Sequence, residues 1–486
     1  MALLAGCNKN NVRIGRGLAM NLWRKKTIQE LLAEAGEHGG LRRALGALDL
    51  TMLGIGAIIG TGIFVLTGVA AAKYAGPALM LSFVVSGIAC AFAALVYAEF
   101  ASMVPVAGSA YTYSYAALGE FVAWIIGWDL ILEYLLAAST VAIGWSGYFQ
   151  SLLAGFGIHV PVWASGALGS APGTLFNIPA VGIVILITFL LSIGVKEAAR
   201  FNNVIVFVKL FAVLLFIAVA VGYVRPVNWT PFLPFGWHGV FAGAAIVFFA
   251  YIGFDAVSTA AEEVKNPQRD MPTGIIASLS VCTVLYIFVS AILTGVVPYK
   301  LLDVAAPVAL ALQYIHQDWA AGIISLGAIG GITTVLLVML YGQTRIFYAM
   351  SRDGLLPSLF SRVHQRYRTP YASTWLTGLV AATVAGIVPI NTVAELVNIG
   401  TLSAFVLVSI AVVVLRKTQP DLPRAFKVPG VPYVPVFAAA FCLLLMAQLP
   451  VLTWVRFLVW LIIGFFIYFI YGNRHSSLNR PTPGGQ

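Results

Sequence analysis

Between Asp49 and Lys73 the chain runs for 23 residues without a charge. A helix that crosses a bilayer needs about 20 predominantly apolar residues. Apolar runs of comparable length recur at 48–72, 78–104, 120–153, 178–195, 201–224, 239–262, 272–297, 318–349, 371–390, 392–415, 433–450 and 453–472. Lipid offers the backbone no hydrogen-bond partners, so such runs read as helices. Composition agrees: 9% of residues are charged and 60% hydrophobic, whereas a soluble domain carries about 25% charged residues. The expected fold class is an all-α membrane protein with twelve transmembrane helices.

Basic residues follow the same alternation. With a cytoplasmic N-terminus, the inner segments hold 23 Lys and Arg residues and the outer ones hold 4: Lys73, Arg225, Lys300 and Arg456. Cytoplasmic loops accumulate positive charge, so a multi-pass cell-membrane protein with both termini in the cytoplasm is expected. The net charge of +10 is then an orientation signal and no nucleic-acid partner is implied. Segment 24–45 is too charged to span. Its Ile28, Leu31, Leu32 and Ala35 share one helical face, which suits an amphipathic helix on the inner membrane surface or a solvated leader helix.

Cys7, Cys90, Cys282 and Cys442 lie far apart, with neither a disulfide framework nor zinc spacing. "LLAGC" at Leu3–Cys7 mimics a lipoprotein cleavage box, but only six residues precede Cys7, too few for a charged start plus an apolar region of about 7–15 residues. Met20, followed by "NLWRKK", is an equally good start, which would make residues 1–19 a dispensable arm.

Five glycines interrupt the first run, "LGIGAIIGTGIFVLTG" from Leu53 to Gly68. A nucleotide-binding loop would need a strand before it and a βαβ unit around it, which this uncharged run excludes. Gly56-x-x-x-Gly60 fits a helix-packing seam, but Gly54, Gly56, Gly60, Gly62 and Gly68 go around the helix. Gly60-Thr61-Gly62 puts three poor helix formers near mid-membrane. Unwound backbone survives there only when buried in protein or lining a cavity, and the restarted helix offers N–H groups to a carboxylate. The sixth run repeats the oddity, with Gly253 mid-span beside Asp255. A carboxylate at that depth costs about 2.5–3.5 kcal/mol on insertion scales. Interrupted spans at corresponding positions of two halves point to a transporter's binding site.

Other ionisable groups fall inside the runs. Asp129 and Glu133 are four residues apart and share a helix face. Glu133 sits about 18 Å deep, and Asp129 is shallower; the plain alternative is packing carboxylates bonded to neighbouring spans. Lys209 lies about 12 Å into the fifth run, at the limit of snorkelling, and a buried lysine can titrate. Glu99 and Glu395 sit near interfaces, where structural roles are expected. Phe248, Phe249, Tyr251 and Phe254 read mostly as packing, with one ring available to cap a substrate. His159, His238 and His316 fall near outer loops. No metal-ligand cluster, cofactor motif or nucleophile–base pair is read, so an enzyme is not expected.

"IGAIIGTGIF", "FFAYIGFDAVSTAAEEVKNPQRDMP" from Phe248 and "YGQTRIFYAMSRDGLLP" from Tyr341 together resemble the amino acid–polyamine–organocation superfamily. The match is closest to its cationic amino acid transporter branch and covers roughly residues 40–475. The resemblance implies a leucine-transporter-like fold of two inverted five-helix repeats plus two extra helices. The divisions would be 1–47, 48–224, 225–416, 417–472 and a tail over 473–486. It also implies that the substrate carboxylate meets the N–H groups of Gly60, Thr61 and Gly62. The α-ammonium would meet carbonyls near Ile58, Phe249, Ala250 and Ile252, with Phe249 as the outer aromatic gate. Asp255, Glu133 and Met339 would face the substrate side chain, and Lys209 would replace the coupling cation of sodium-dependent relatives.

The expected activity is proton-coupled, sodium-independent symport of cationic or small neutral L-amino acids by alternating access. The acidic pair argues for cationic substrates and the bulk of Met339 for small neutral ones. Obligate exchange and a transporter-like amino acid sensor are the alternatives. Protons, an amino acid and the bilayer are the expected partners; oligomeric state and any accessory subunit stay open.

Overall fold

The structure, a computed structural model, describes residues 24–26, 44–103, 109–194, 198–367 and 369–479. The proposed helix over 24–45 and the positions Cys7 and Met20 therefore fall largely or wholly outside the described residues. The long helices are α1 (Ala47–Ile58), α2 (Leu79–Met103), α3 (Glu120–Gly155), α4 (Ile178–Ile193), α5 (Ala198–Ala220), α6 (Gly236–Val247), α7 (Pro267–Val296), α8 (Asp318–Arg352), α9 (Tyr371–Ile387), α10 (Ile390–Thr418), α11 (Tyr433–Ala447) and α12 (Val451–Ile467). Shorter helices, Ser109–Ala117 and Pro307–Tyr314, bridge α2 to α3 and α7 to α8. Among the described residues there is no strand, only the isolated bridges Leu45–Val264 and Ser165–Asn177.

Eight helical segments are long and apolar enough to cross a membrane, while α1, α4, α9 and α11 are apolar but shorter. Local chemistry sets these lengths. α4 starts where the Asn177 side chain accepts a hydrogen bond from Ala180 N at 3.2 Å, and it stops at Gly194, whose φ of 82° suits glycine. α1 is short because its chain unwinds at Ile59 and Gly60 and then resumes in π-helical turns from Gly62. The break thus falls at Ile59–Gly60, slightly earlier than Gly60-Thr61-Gly62, because Thr61 already has helical angles (φ −54°, ψ −29°).

Close packing comes from small residues, as expected where lipid gives helices no hydrophobic drive to associate. α3 lies along α8: a Cβ at Gly127 would come within 2.8 Å of Met350 Sδ, and one at Gly342 would run into the Tyr134 ring.

The end of the bundle where α1 begins is basic and held by ion pairs. Glu99, at the end of α2, accepts from Arg416 at 2.9 and 2.5 Å and from Val428 N at 2.7 Å. Lys26 pairs with Asp353 at 2.8 Å, both buried, and Tyr111 donates to the same carboxylate at 2.6 Å. Glu120 gathers Arg24, Tyr115 and Tyr468. At the opposite end Lys73 pairs with Asp303, and Glu395 accepts from Thr453 at 2.7 Å. Glu99 and Glu395 are therefore engaged structurally.

Candidate functional site

A break in a helix leaves carbonyls without partners on one side and N–H groups on the other. At the first interruption the carbonyls are met by a cation. Lys209, on α5 and fully buried, donates from Nζ to Gly56 O at 2.6 Å, Ile59 O at 3.1 Å and Gly331 O at 3.4 Å. An ammonium has three donors, and all three are spent inside the protein, so this lysine does not snorkel. It ties the end of α1 to α8. Gly331 permits the approach, since a Cβ there would stand 3.2 Å from Lys209 Cβ.

The sixth segment breaks differently. A 3-10 turn, Phe248–Tyr251, follows α6; Ile252 is extended, and the chain resumes as a 3-10 helix, Asp255–Glu263. Gly253 between them has φ 117°, and a Cβ there would lie 2.9 Å from the Ala57 carbonyl. Both the angle and the contact require glycine. Asn398 Nδ2 of α10 donates to Ala245 O at 2.7 Å and Ile246 O at 3.2 Å. Asp255 is the first residue of the resumed turn, and its side chain is buried. Tyr134 donates to Asp255 Oδ2 at 3.4 Å. Tyr286 of α7 joins the two interruptions, sharing its hydroxyl proton between Ile58 O at 3.1 Å and Ala250 O at 3.0 Å.

A small cavity of about 10 Å³ lies between the interruptions, room for about one water. An amino acid needs its walls to part. Of the residues singled out by sequence, Ile58, Gly60, Thr61, Gly62, Phe249, Ile252 and Met339 line it, completed by Ala57, Ala137, Val141 and Val335. The side-chain walls are apolar except Thr61, whose hydroxyl points to Val141 O at 3.4 Å. A Cβ at Gly60 would come 3.0 Å from Val335, and one at Gly62 would run into Ala250; Ala250 therefore backs the wall rather than forming it. A larger cavity of about 410 Å³ opens between the end of α3 and residues 304–313, away from the broken backbone.

Glu133 and Asp255 are not in that lining. Glu133 lies one turn before Ala137 on α3, and Asp255 three residues past Ile252, so both sit beneath the cavity toward the basic end. Each is buried. Asp129 is buried, and neither of its carboxylate oxygens has a hydrogen-bond partner among the described residues. Of the four aromatic residues, Phe248, Tyr251 and Phe254 pack against other rings while Phe249 faces the cavity. Tyr286 and Asn398 were not apparent from sequence. Asn398 had a signal, an amide inside an apolar run; Tyr286 had none beyond its hydroxyl.

Residues 45–478 match the amino acid permease family. The chain is 61% identical to the branched-chain amino acid permease BcaP of Bacillus subtilis (strain 168), over 95% of its own length and 99% of the relative's. It is 57% identical to the methylthioribose transporter of the same organism, over 95% and 100%. It is 40% identical to the vacuolar cationic amino acid transporter 4 of Arabidopsis thaliana, over 82% and 68%. These relatives are transporters and permeases, not enzymes. The chain belongs to the amino acid permease family, within the amino acid–polyamine–organocation superfamily.

Proposed function

We propose that the chain is a proton-coupled, sodium-independent amino acid symporter of the cell membrane that works by alternating access and imports small aliphatic L-amino acids. The observation that carries this reading is the Lys209 ammonium bridging α1 and α8 through Gly56 O, Ile59 O and Gly331 O. A positive charge already holds the junction that must loosen for the site to open. Loss of its proton would weaken all three bonds together, which links the junction to proton supply.

In this reading the chain crosses the bilayer twelve times, as two inverted five-helix repeats over 48–224 and 225–416 followed by two helices over 417–472. The basic end, with segments 1–47 and 473–486, faces the cytoplasm. Interruptions in the first and sixth segments and the concentration of basic residues at one end support it.

The substrate carboxylate would bind the N–H groups of Gly60, Thr61 and Gly62 at the positive end of the resumed helix. Its α-ammonium would meet carbonyls near Ile58, Phe249, Ala250 and Ile252. Ile58 O and Ala250 O each keep a second lone pair beside the one Tyr286 uses. Phe249 would cap the site, and the walls of Ala137, Val141, Val335 and Met339 favour an aliphatic side chain over a cationic one. The name of the branched-chain permease relative agrees with that choice. The test is a competition panel of the common amino acids with methylthioribose, in proteoliposomes with an inward proton gradient and no sodium. Competition by branched-chain and small neutral amino acids is expected. Uptake that ignores the gradient, or that appears only in amino-acid-loaded vesicles, contradicts the symport reading.

A further inference from the structure

Beyond its break, the first segment is not an ordinary α-helix. Gly62–Leu66 and Ala71–Ala75 form π-helical turns on either side of the α turn Thr67–Ala70. In the first, Thr67 N donates to Gly62 O, five residues back; in the second, Gly76 N donates to Ala71 O. π turns are rare, and those that occur are frequent at functional sites. The first one directly follows Gly60 and Thr61, which line the cavity.

α3 holds this turn in place. Val141, Gly144 and Tyr148 are spaced i, i+3 and i+7 on α3 and so share one face of it. Val141 lines the cavity, and its carbonyl accepts from the Thr61 hydroxyl at 3.4 Å. At Gly144 a Cβ would run into the Thr61 side chain, so the two helices approach closely there. Tyr148 is fully buried and donates its hydroxyl to Phe64 O at 2.8 Å. Its ring stands edge-on to that of Phe64, with centroids 5.9 Å apart. Inside the turn the Thr67 hydroxyl donates to Ile63 O. On another side Gly62 lies against Ala250.

Such a clamp controls register. A helix turns about 100° and rises about 1.5 Å per residue. If the π turn closed into an α turn, one residue would slip out of it, and the chain before it would rotate by about 100°. Gly60, Thr61 and Gly62 would then lose their facing toward the cavity. We propose that Tyr148 is a positioning residue for substrate. Through Phe64 O it fixes the π turn and so aims the N–H groups of Gly60, Thr61 and Gly62 at the substrate carboxylate. The inference rests on the carboxylate site of the proposed function and adds to it a residue outside the cavity lining.

The experiment titrates the purified full-length protein with leucine and with leucinamide, which lacks the carboxylate, in a calorimeter. It compares the unmodified protein with Tyr148→Phe, Gly144→Ala and Tyr468→Phe. Tyr148→Phe keeps the ring and removes the bond. Leucine should bind it at least about tenfold more weakly, while leucinamide changes by less than about threefold. Gly144→Ala presses on Thr61 from the same face without removing a bond and should also cost leucine more than leucinamide; it decides the matter if Tyr148→Phe does not fold. Tyr468→Phe removes a buried hydroxyl bond to Glu120, 3.0 Å long, at the basic end. It should keep the preference for leucine even where its melting temperature falls. A preference that survives in Tyr148→Phe and Gly144→Ala, or an equal loss of both ligands, overturns the proposal and leaves the carboxylate site standing. An unmodified protein that binds the two ligands equally overturns the carboxylate site itself, and the role of Tyr148 with it.

Discussion

The two interrupted segments solve one problem in opposite ways. At the first, the free carbonyls are met by a cation, Lys209, and Gly60, Thr61 and Gly62 border the cavity. At the sixth, the carbonyls are met by neutral donors, Asn398 and Tyr286, and the resumed turn opens on the chain's own acid, Asp255. The sixth break restarts with an acid in its first turn, and the first restarts with none. On the proposed reading, that difference makes the first break the seat for a substrate carboxylate and the sixth a seat that fixes the fold.

Gly60→Leu should break the comparison most severely. The added side chain would enter a space where a Cβ already stands 3.0 Å from Val335 and would fill the open seat. Substrate affinity should fall more than about a hundredfold, roughly 2.8 kcal/mol, with membrane insertion retained; titration calorimetry on the purified variant measures it. Lys209→Ala comes next. It leaves three buried carbonyls without their donor, each worth about 1–3 kcal/mol if unsatisfied. Gradient-driven accumulation should drop more than about tenfold, on the order of 1.4 kcal/mol or more, in a proteoliposome uptake assay.

Tyr286→Phe removes the single hydroxyl that touches both breaks. It should weaken binding by about threefold to tenfold and cost about 1–3 kcal/mol of stability, visible as a lower melting temperature in detergent. Asn398→Ala affects the sixth break alone. Loss of its bonds to Ala245 and Ile246 should cost about 1 kcal/mol and leave affinity within about twofold, read by the same melting assay with a binding titration. Equal effects of Tyr286→Phe and Asn398→Ala on affinity would mean that the two breaks are not specialised as described.

The contrast was half legible in the chain itself. Gly253 beside Asp255, and Gly60-Thr61-Gly62 in an uncharged run, flagged both breaks, because glycine and a buried charge are each costly in a lipid-facing helix. Lys209 stood out for the same reason. Its partners did not: backbone carbonyls at Gly56, Ile59 and Gly331 carry no side-chain signature, and a lysine on α5 reaches them only through the tertiary fold. Tyr286 was hidden among apolar neighbours, since a tyrosine in such a run reads as packing. The placement of Glu133 and Asp255 beneath the cavity was also illegible. Helical spacing gives the face of a residue but not which turn of that face meets the cavity.

The central claim is that the first break is a carboxylate receptor built from backbone. It is tested most directly by titrating the unmodified protein with leucine and with leucinamide, which keeps the side chain and amine but carries no carboxylate. The account predicts that leucinamide binds at least about a hundredfold more weakly, roughly 2.8 kcal/mol. Equal affinity for the two would contradict it.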